Sequence, residues 1–288
     1  MDFKCTGDDL ELIPKELVSE TGITLPEAHS DKTSMAILAR ELRKHRRDVI
    51  ARVPFCVTVE AEAFGAHIKL GDALNGPRVE KYLFSSIEEM SVIQELDLKK
   101  DRIKEVLDAV EILAQSGEKV ALSVEGPFTI LSSLIDPMYF YKGLRKDPRR
   151  ILEILSVIEE GIIRYSLEGI TRGASIISYG DPVGAIGIVG PKVYQDYSGP
   201  SSWRVIKGLQ EMSEKVLLHL CGKTSTALEK IKMAKSYPIV IDGDKTYGQA
   251  LLDQLEKTTE PILIGHRCIK GSLNKMDKPI LWGIKLIN

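Results

Sequence analysis

Short apolar runs alternate with amphipathic segments along nearly the whole chain, and this alternation restricts the fold more than any other feature. Strand-like runs are Arg52–Val59, His67–Leu70, Lys119–Val124, Ser175–Tyr179, Val216–Cys221, Pro238–Ile241, Pro261–Gly265 and Ile280–Leu286. Between them, residues 101–116, 129–135, 147–169, 201–214, 223–235 and 247–257 have the apolar spacing and residue types of covering helices. Strands that alternate with helices build a mainly parallel sheet, because a parallel connection needs a crossover long enough to hold a helix. The count of seven or eight strands, the 288-residue length and the lack of a phosphate-gripping glycine loop after the first strand favour a closed (β/α)8 TIM barrel. The architecture expected is an α/β barrel over residues 49–288, preceded by an arm and covering helix over residues 1–48, with residues 1–30 irregular and a helix from Thr33 to His45.

A (β/α)8 barrel carries its chemistry at the C-terminal ends of its strands. Here those ends supply Glu60, Glu62, Glu125, Asp181, His219, Cys221, Asp242, Asp244, His266 and Cys268. Acids collect wherever strands meet turns, so part of this set is ordinary loop polarity. The His and Cys residues are scarcer. The chain has four Cys and five His, yet His-x-Cys closes two of the strand-like runs, at His219/Cys221 and His266/Cys268. Side chains alternate along a strand, so His219 and Cys221 share a face; at the second pair Gly265 argues against continued alternation. Imidazole with thiolate is a ligand set that zinc favours. The competing role for each Cys is that of a small buried hydrophobe, and Cys56, in mid-strand, is assigned to core packing on that ground.

A formal net charge of −2 gives no electrostatic signature of a nucleic-acid binder. The cluster Arg43-Lys-His-Arg-Arg47 lies on the expected helix and reads as a solvated face. No apolar stretch approaches the ~20 residues that span a bilayer, and the polar start of the chain has no signal-peptide core. The cytoplasm is the expected compartment. Reduced cysteines there serve metals or catalysis more often than disulfides.

The segments His-Leu-Cys-Gly222, Glu-Gly-Pro-Phe-Thr129, Ser-Tyr-Gly-Asp-Pro182 and Gly-Pro-Lys-Val-Tyr194 together resemble the uroporphyrinogen decarboxylase superfamily. Within it the likeness is greatest to the zinc-dependent methylcobamide:coenzyme M and related corrinoid-dependent methyltransferases. It covers roughly residues 50–270. The resemblance implies His219, Cys221 and Cys268 as zinc ligands, with the corrinoid carried on a partner protein. It further implies a small thiol or a methylated molecule as the other substrate. Glu125, Asp181 and Asp242 become candidate catalytic carboxylates, and Glu60, Glu62, Tyr179 and His266 candidate substrate-binding residues.

Two departures stand out. Cys268 follows Gly265-His-Arg, where the methyltransferases usually have Pro-Gly before the distant Cys, so His266 becomes a candidate fourth ligand or a residue beside the substrate. The first strand, Val53-Pro-Phe-Cys-Val-Thr-Val-Glu60, lacks the Arg-rich signature of porphyrinogen decarboxylases. Two other functions fit the same residues: a decarboxylase-like tetrapyrrole enzyme, and a noncatalytic barrel with a structural zinc.

Overall fold

The computed structural model describes residues 13–72 and 75–287. The chain opens with helices α1 (Lys15–Thr21), α2 (Leu25–Ala28) and α3 (Lys32–His45). The part of the expected irregular arm within the described residues is therefore largely helical. Gly22, at φ 70°, ends α1, and the Thr24 side chain caps α2. Strand β1 is only Ala51–Val53, because Pro54 cannot extend a ladder. Helix α4 (Val59–Ala63) follows, so Glu60 and Glu62 lie on a helix and not at a strand end.

A small hairpin, β2 (His67–Lys69) and β3 (Arg78–Lys81), precedes the long α5 (Asp101–Gln115) and β4 (Val120–Glu125). Three helices, α6 (Pro127–Leu134), α7 (Pro137–Lys146) and α8 (Pro148–Thr171), lead to β5 (Ala174–Gly180). After it come the short α9 (Ile186–Val189) and α10 (Pro191–Val193), then α11 (Gly199–Met212) and β6 (Leu217–Cys221). The remainder is α12 (Gly222–Lys230), β7 (Ala234–Val240), α13 (Tyr247–Lys257), β8 (Ile262–Arg267) and β9 (Ile280–Leu286).

The main sheet has the order β1-β4-β5-β6-β8-β9-β7. Its first five strands are parallel, and β9 joins β8 and β7 by antiparallel pairing. The parallel α/β architecture expected from the alternation is present. The closed ring of eight is not what the hydrogen bonds form among the described residues: β1 and β7 end the sheet, and β7 lies outside β9 instead of between β6 and β8. The composition of β7 suits an edge. Pro238 has no N–H to donate, and Tyr237 and Val240 are exposed. Opposite Tyr237 in the ladder stands Gly283, whose missing side chain leaves room for the phenol ring; a Cβ there would lie 2.3 Å from it.

Alternation sorts the parallel strands into two faces. Val120, Leu122, Val124, Ile177, Tyr179, Leu218 and Leu220 face the helices and join the larger core, which also takes in Leu17, Met35 and Leu38 of the N-terminal helices. On the other face, register places Ala121 beside Ile176, Ile176 beside Leu217 and Leu217 beside Ile262, which makes an apolar floor. One step towards the C-terminal ends, Ser123, Ser178 and His219 form the next row. Tyr247, Ala250 and Leu251 of α13 belong to the same cluster as the floor. A buried link ties β1 to the turn after β8: Arg52 Nη1 donates to Asp48, to the Ile269 carbonyl and to Ser272 Oγ. Among the described residues no helix is long and apolar enough to cross a membrane.

Candidate functional site

Above the polar row opens a cavity of about 120 Å³, walled by Ser123, Glu125, Ser178, His219, Cys221 and Cys268. Its second wall comes from the segment after β1, including Cys56, and Arg52, Lys223 and Lys270 also line it. His219 is 1% exposed. Its Nδ1 lies 3.3 Å from Ser178 Oγ, and its Nε2 has no hydrogen-bond partner among the described residues. Burial pushes its pKa down to about 4. The imidazole is therefore neutral at neutral pH, and when Nδ1 donates to Ser178 the Nε2 lone pair is available to an electrophile or a metal.

Cys221, two residues on, shares the face of His219 and lines the same cavity. The second His-x-Cys behaves differently. His266 has φ 62°, a left-handed conformation uncommon for a residue with a side chain, and the register between β6 and β8 shifts there. Gly265 comes so close to α12 that a Cβ would lie 2.7 Å from that of Ser225, whose hydroxyl accepts the His266 N–H. The His266 ring is consequently carried off the cavity wall. Nδ1 sits 3.0 Å from Thr226 Oγ1, Nε2 lies 3.5 Å from Glu229, and the ring meets Trp282 edge to face. Cys268 alone of this pair lines the cavity.

A buried imidazole nitrogen without a partner and two thiols in one cavity are the donor chemistry of a soft divalent metal. Among the described residues, however, no three His, Cys, Asp or Glu side chains are grouped closely enough to hold one. The residue types and their shared cavity fit zinc; coordination requires the donors to draw together.

The acids separate into different environments. Glu125, at the end of β4, lines the cavity. Behind it, Glu60 Oε1 accepts the Glu125 backbone N–H at 2.9 Å. Glu60 is 1% exposed and does not line the cavity. Desolvation raises its pKa to about 7, against the lowering effect of backbone hydrogen bonds and Arg102. Unfolding releases this acid to its ordinary value of 4.5, so between these two pH values the native state holds a proton that the unfolded state has lost. Stability attributable to Glu60 therefore falls as pH rises through this window and stays low above it. Glu60→Gln keeps the acceptor and removes the charge, so it is expected to stabilise the protein by roughly 3 kcal/mol at pH 8 and by almost nothing at pH 4.5. Urea titrations at the two pH values check this; equal effects at both would show that ionisation is not involved.

Glu62 pairs with the buried Arg102 and is absent from the cavity wall. Tyr179 is among the wall residues, and its side chain belongs to the helix-facing core, where its hydroxyl donates to Ser202 Oγ at 2.9 Å. Asp181 is buried, and its carboxylate accepts from Phe128 N, Thr129 N, Thr129 Oγ1 and Gly184 N. Asp242, which follows the edge strand β7, is exposed and does not line the cavity. Ser178, Arg52, Lys223, Lys270 and Cys56 line the cavity without having been singled out for it. The register row through His219 held the signal for Ser178, and Lys223 follows the Cys-Gly that closes β6.

The sequence profile described as uroporphyrinogen decarboxylase (URO-D) matches residues 11–276. A methylcobamide:CoM methyltransferase MtbA of Methanosarcina mazei is 30% identical over 216 residues, 74% of this chain and 63% of that protein. The MtbA of Methanosarcina acetivorans is 28% identical over the same shares, so the chain spans less than two thirds of the length of these relatives. A methylcobamide:CoM methyltransferase MtaA of Methanosarcina barkeri is 29% identical over 267 residues, covering 91% of this chain and 78% of the relative. Among solved structures, a methyltransferase from Methanosarcina mazei superposes with a TM-score of 0.67 over 79% of this chain and 70% of its own, at 23% identity. That likeness concerns the fold.

Proposed function

We propose that this chain, which belongs to the uroporphyrinogen decarboxylase family, is a corrinoid-dependent methyltransferase. It would move a methyl group between a methylcobamide on a partner corrinoid protein and a small thiol, or a methylated molecule in the reverse sense. The observation that carries this reading is the cavity shared by His219, Cys221 and Cys268, in a chain similar along most of its length to methylcobamide:CoM methyltransferases.

In this reading His219 Nε2, Cys221 and Cys268 hold zinc, which when bound favours the thiolate of a substrate thiol or stabilises a departing oxyanion. The remaining roles belong to the protein's own groups. Ser178 fixes the tautomer and direction of the His219 ring through Nδ1. Glu125 is the cavity carboxylate placed to take up the proton that a thiol loses. Arg52 is locked by Asp48 and Ser272, and with Lys223 and Lys270 it gives the cavity a positive rim.

The test uses the cobalt absorption spectrum. Incubated with methylcobalamin and a panel of small thiols, or with reduced cobalamin and methylated donors, the zinc-loaded protein is expected to move methyl in at least one direction. Chelation should stop it and added zinc should restore it. Failure in both directions, together with conversion of uroporphyrinogen, would replace this reading by the decarboxylase one. A protein that binds zinc but transforms none of these would be a structural zinc barrel.

A further inference from the structure

The space at the strand ends does not stop at the rim of the cavity. Lys223 lines the cavity and also lines a second, larger opening, a groove of about 360 Å³. Lys223, Thr226, Ala227 and Lys230 bound one side of it. Their i, i+3, i+4, i+7 spacing is a single face of α12 over two turns, so the groove runs along that helix and away from the cavity. Ile186, Gly187 and Ile188 of α9 bound the other side.

The two sides are pinned to each other near the cavity. Asp181 N donates to Thr224 Oγ1 of α12 at 3.4 Å, and the Asp181 carboxylate accepts from Gly184 N just before α9. Ser198 Oγ donates to the Gly184 carbonyl at 2.8 Å. Beyond this anchor, small residues leave the room. Ala227 is buried, and a Cβ added at Gly187 would meet nothing within 4 Å. Thr226 is buried too, with Oγ1 3.0 Å from His266 Nδ1, so the hydroxyl on this side is already engaged. His266, turned away from the cavity, thus stands behind the groove.

The lining defines what fits. Ile186 and Ile188 supply apolar surface, and Ile188 is 62% exposed beside the opening. Among the described residues no acid lines the groove, and its charged groups are lysines at either end. From Lys223 to Lys230 the helix rises about 10 Å. A cation at the far end with apolar surface between suits an extended apolar chain that ends in an anion.

We propose that the groove is a subsite for the tail of the small substrate, and that this tail is an apolar chain ending in a carboxylate or a comparable anion. The sulfur occupies the cavity, the chain passes Lys223 and lies between Ala227 and Ile188, and the anion meets Lys230. The proposal rests on the reading of the cavity as the site of methyl transfer.

Calorimetric titration of the full chain with methyl thioethers measures binding apart from turnover. An ω-(methylthio)octanoate is expected to bind about tenfold or more tightly than (methylthio)acetate, whose chain is too short to reach Lys230, and than ω-(methylthio)octanol, which has no anion. Gly187 does not have a left-handed φ and faces open space, so Gly187→Phe should fold and fill the groove. It should bring the octanoate to within about twofold of the acetate and leave the acetate unchanged. Lys230→Gln should bring the octanoate to within about twofold of the octanol. In the cobalt assay the corresponding thiols should follow the same order in KM, and Gly187→Phe should keep its turnover of mercaptoacetate. Equal binding of the three thioethers, or an octanoate affinity untouched by Gly187→Phe, would overturn the proposal. Absence of methyl transfer to every thiol would overturn the methyl-transfer reading, while the calorimetric pattern still decides whether the groove takes an anionic chain.

Discussion

Cys221→Ser is expected to lower methyl transfer by about 10³-fold, roughly 4 kcal/mol of barrier, while leaving the protein folded. The two halves of this expectation have separate physical origins. Serine differs from cysteine by one atom but offers no thiolate at neutral pH, so the soft anionic donor is lost. Stability rests elsewhere. Cys221 closes β6 at the cavity and is only partly buried, whereas the apolar floor of Ala121, Ile176, Leu217 and Ile264 lies one or more rows below and keeps its packing. The cost in stability should stay under about 1 kcal/mol. Zinc content, the cobalt spectrum and a urea titration on the same preparation measure the three quantities. Cys268→Ser should behave in the same way, and the analogous His266→Ala should not, because that ring engages Thr226, Glu229 and Trp282 away from the cavity. Full methyl transfer by Cys221→Ser would remove the sulfur from the mechanism.

The pairing of His219 with Cys221 was legible because strand alternation is a local rule: two residues apart on β6 means one face, whatever the rest of the chain does. His266 lies outside that rule, as Gly265 before it signals. Its φ of 62° reverses the side-chain direction, and the cause is the approach of Gly265 to Ser225 of α12, a tertiary contact that no spacing reveals. Glu60 illustrates a second limit. The β-branched run after Arg52 favours a strand, yet Pro54 breaks the ladder and residues 59–63 turn helical, which moves both glutamates behind the wall. Eight of the nine strands among the described residues overlap a strand-like run; β3 does not, and strand order was not legible. An exposed, Pro-bearing strand such as β7 satisfies the alternation equally well inside a ring or at an edge, and only its pairing with β9 distinguishes the two. Tyr247 is the most distant case: its ring meets the His219 ring edge to face from a helix, and a helix residue facing a strand of the opposite side leaves no mark in either periodicity.

Asp181→Ala is expected to destabilise the protein by about 4 kcal/mol, the second large effect, and for a reason unrelated to methyl transfer. The carboxylate sits at the junction between the end of β5 and the start of α6, where Phe128 N and Thr129 N are first-turn amides with no partner inside the helix. Thr129 Oγ1 and Gly184 N complete its four donors, at 2.7 and 3.2 Å. Removing the acceptor strands these donors in a buried space, and the unmet desolvation of each costs more than the bond itself contributes. Burial raises the pKa of Asp181 while these bonds lower it, with burial the larger influence, so some of the loss is offset by no longer holding a carboxyl group out of water. Asp181→Asn keeps one oxygen and sets an amide against the other donors, and should fall between Ala and wild type. The expected pattern is a lowered urea midpoint with methyl-transfer turnover per folded molecule within a few-fold of wild type. A catalytic carboxylate would give the opposite pattern: an unchanged midpoint and lost turnover would return Asp181 to the chemistry and take it out of the scaffold that positions Glu125 and the cavity wall.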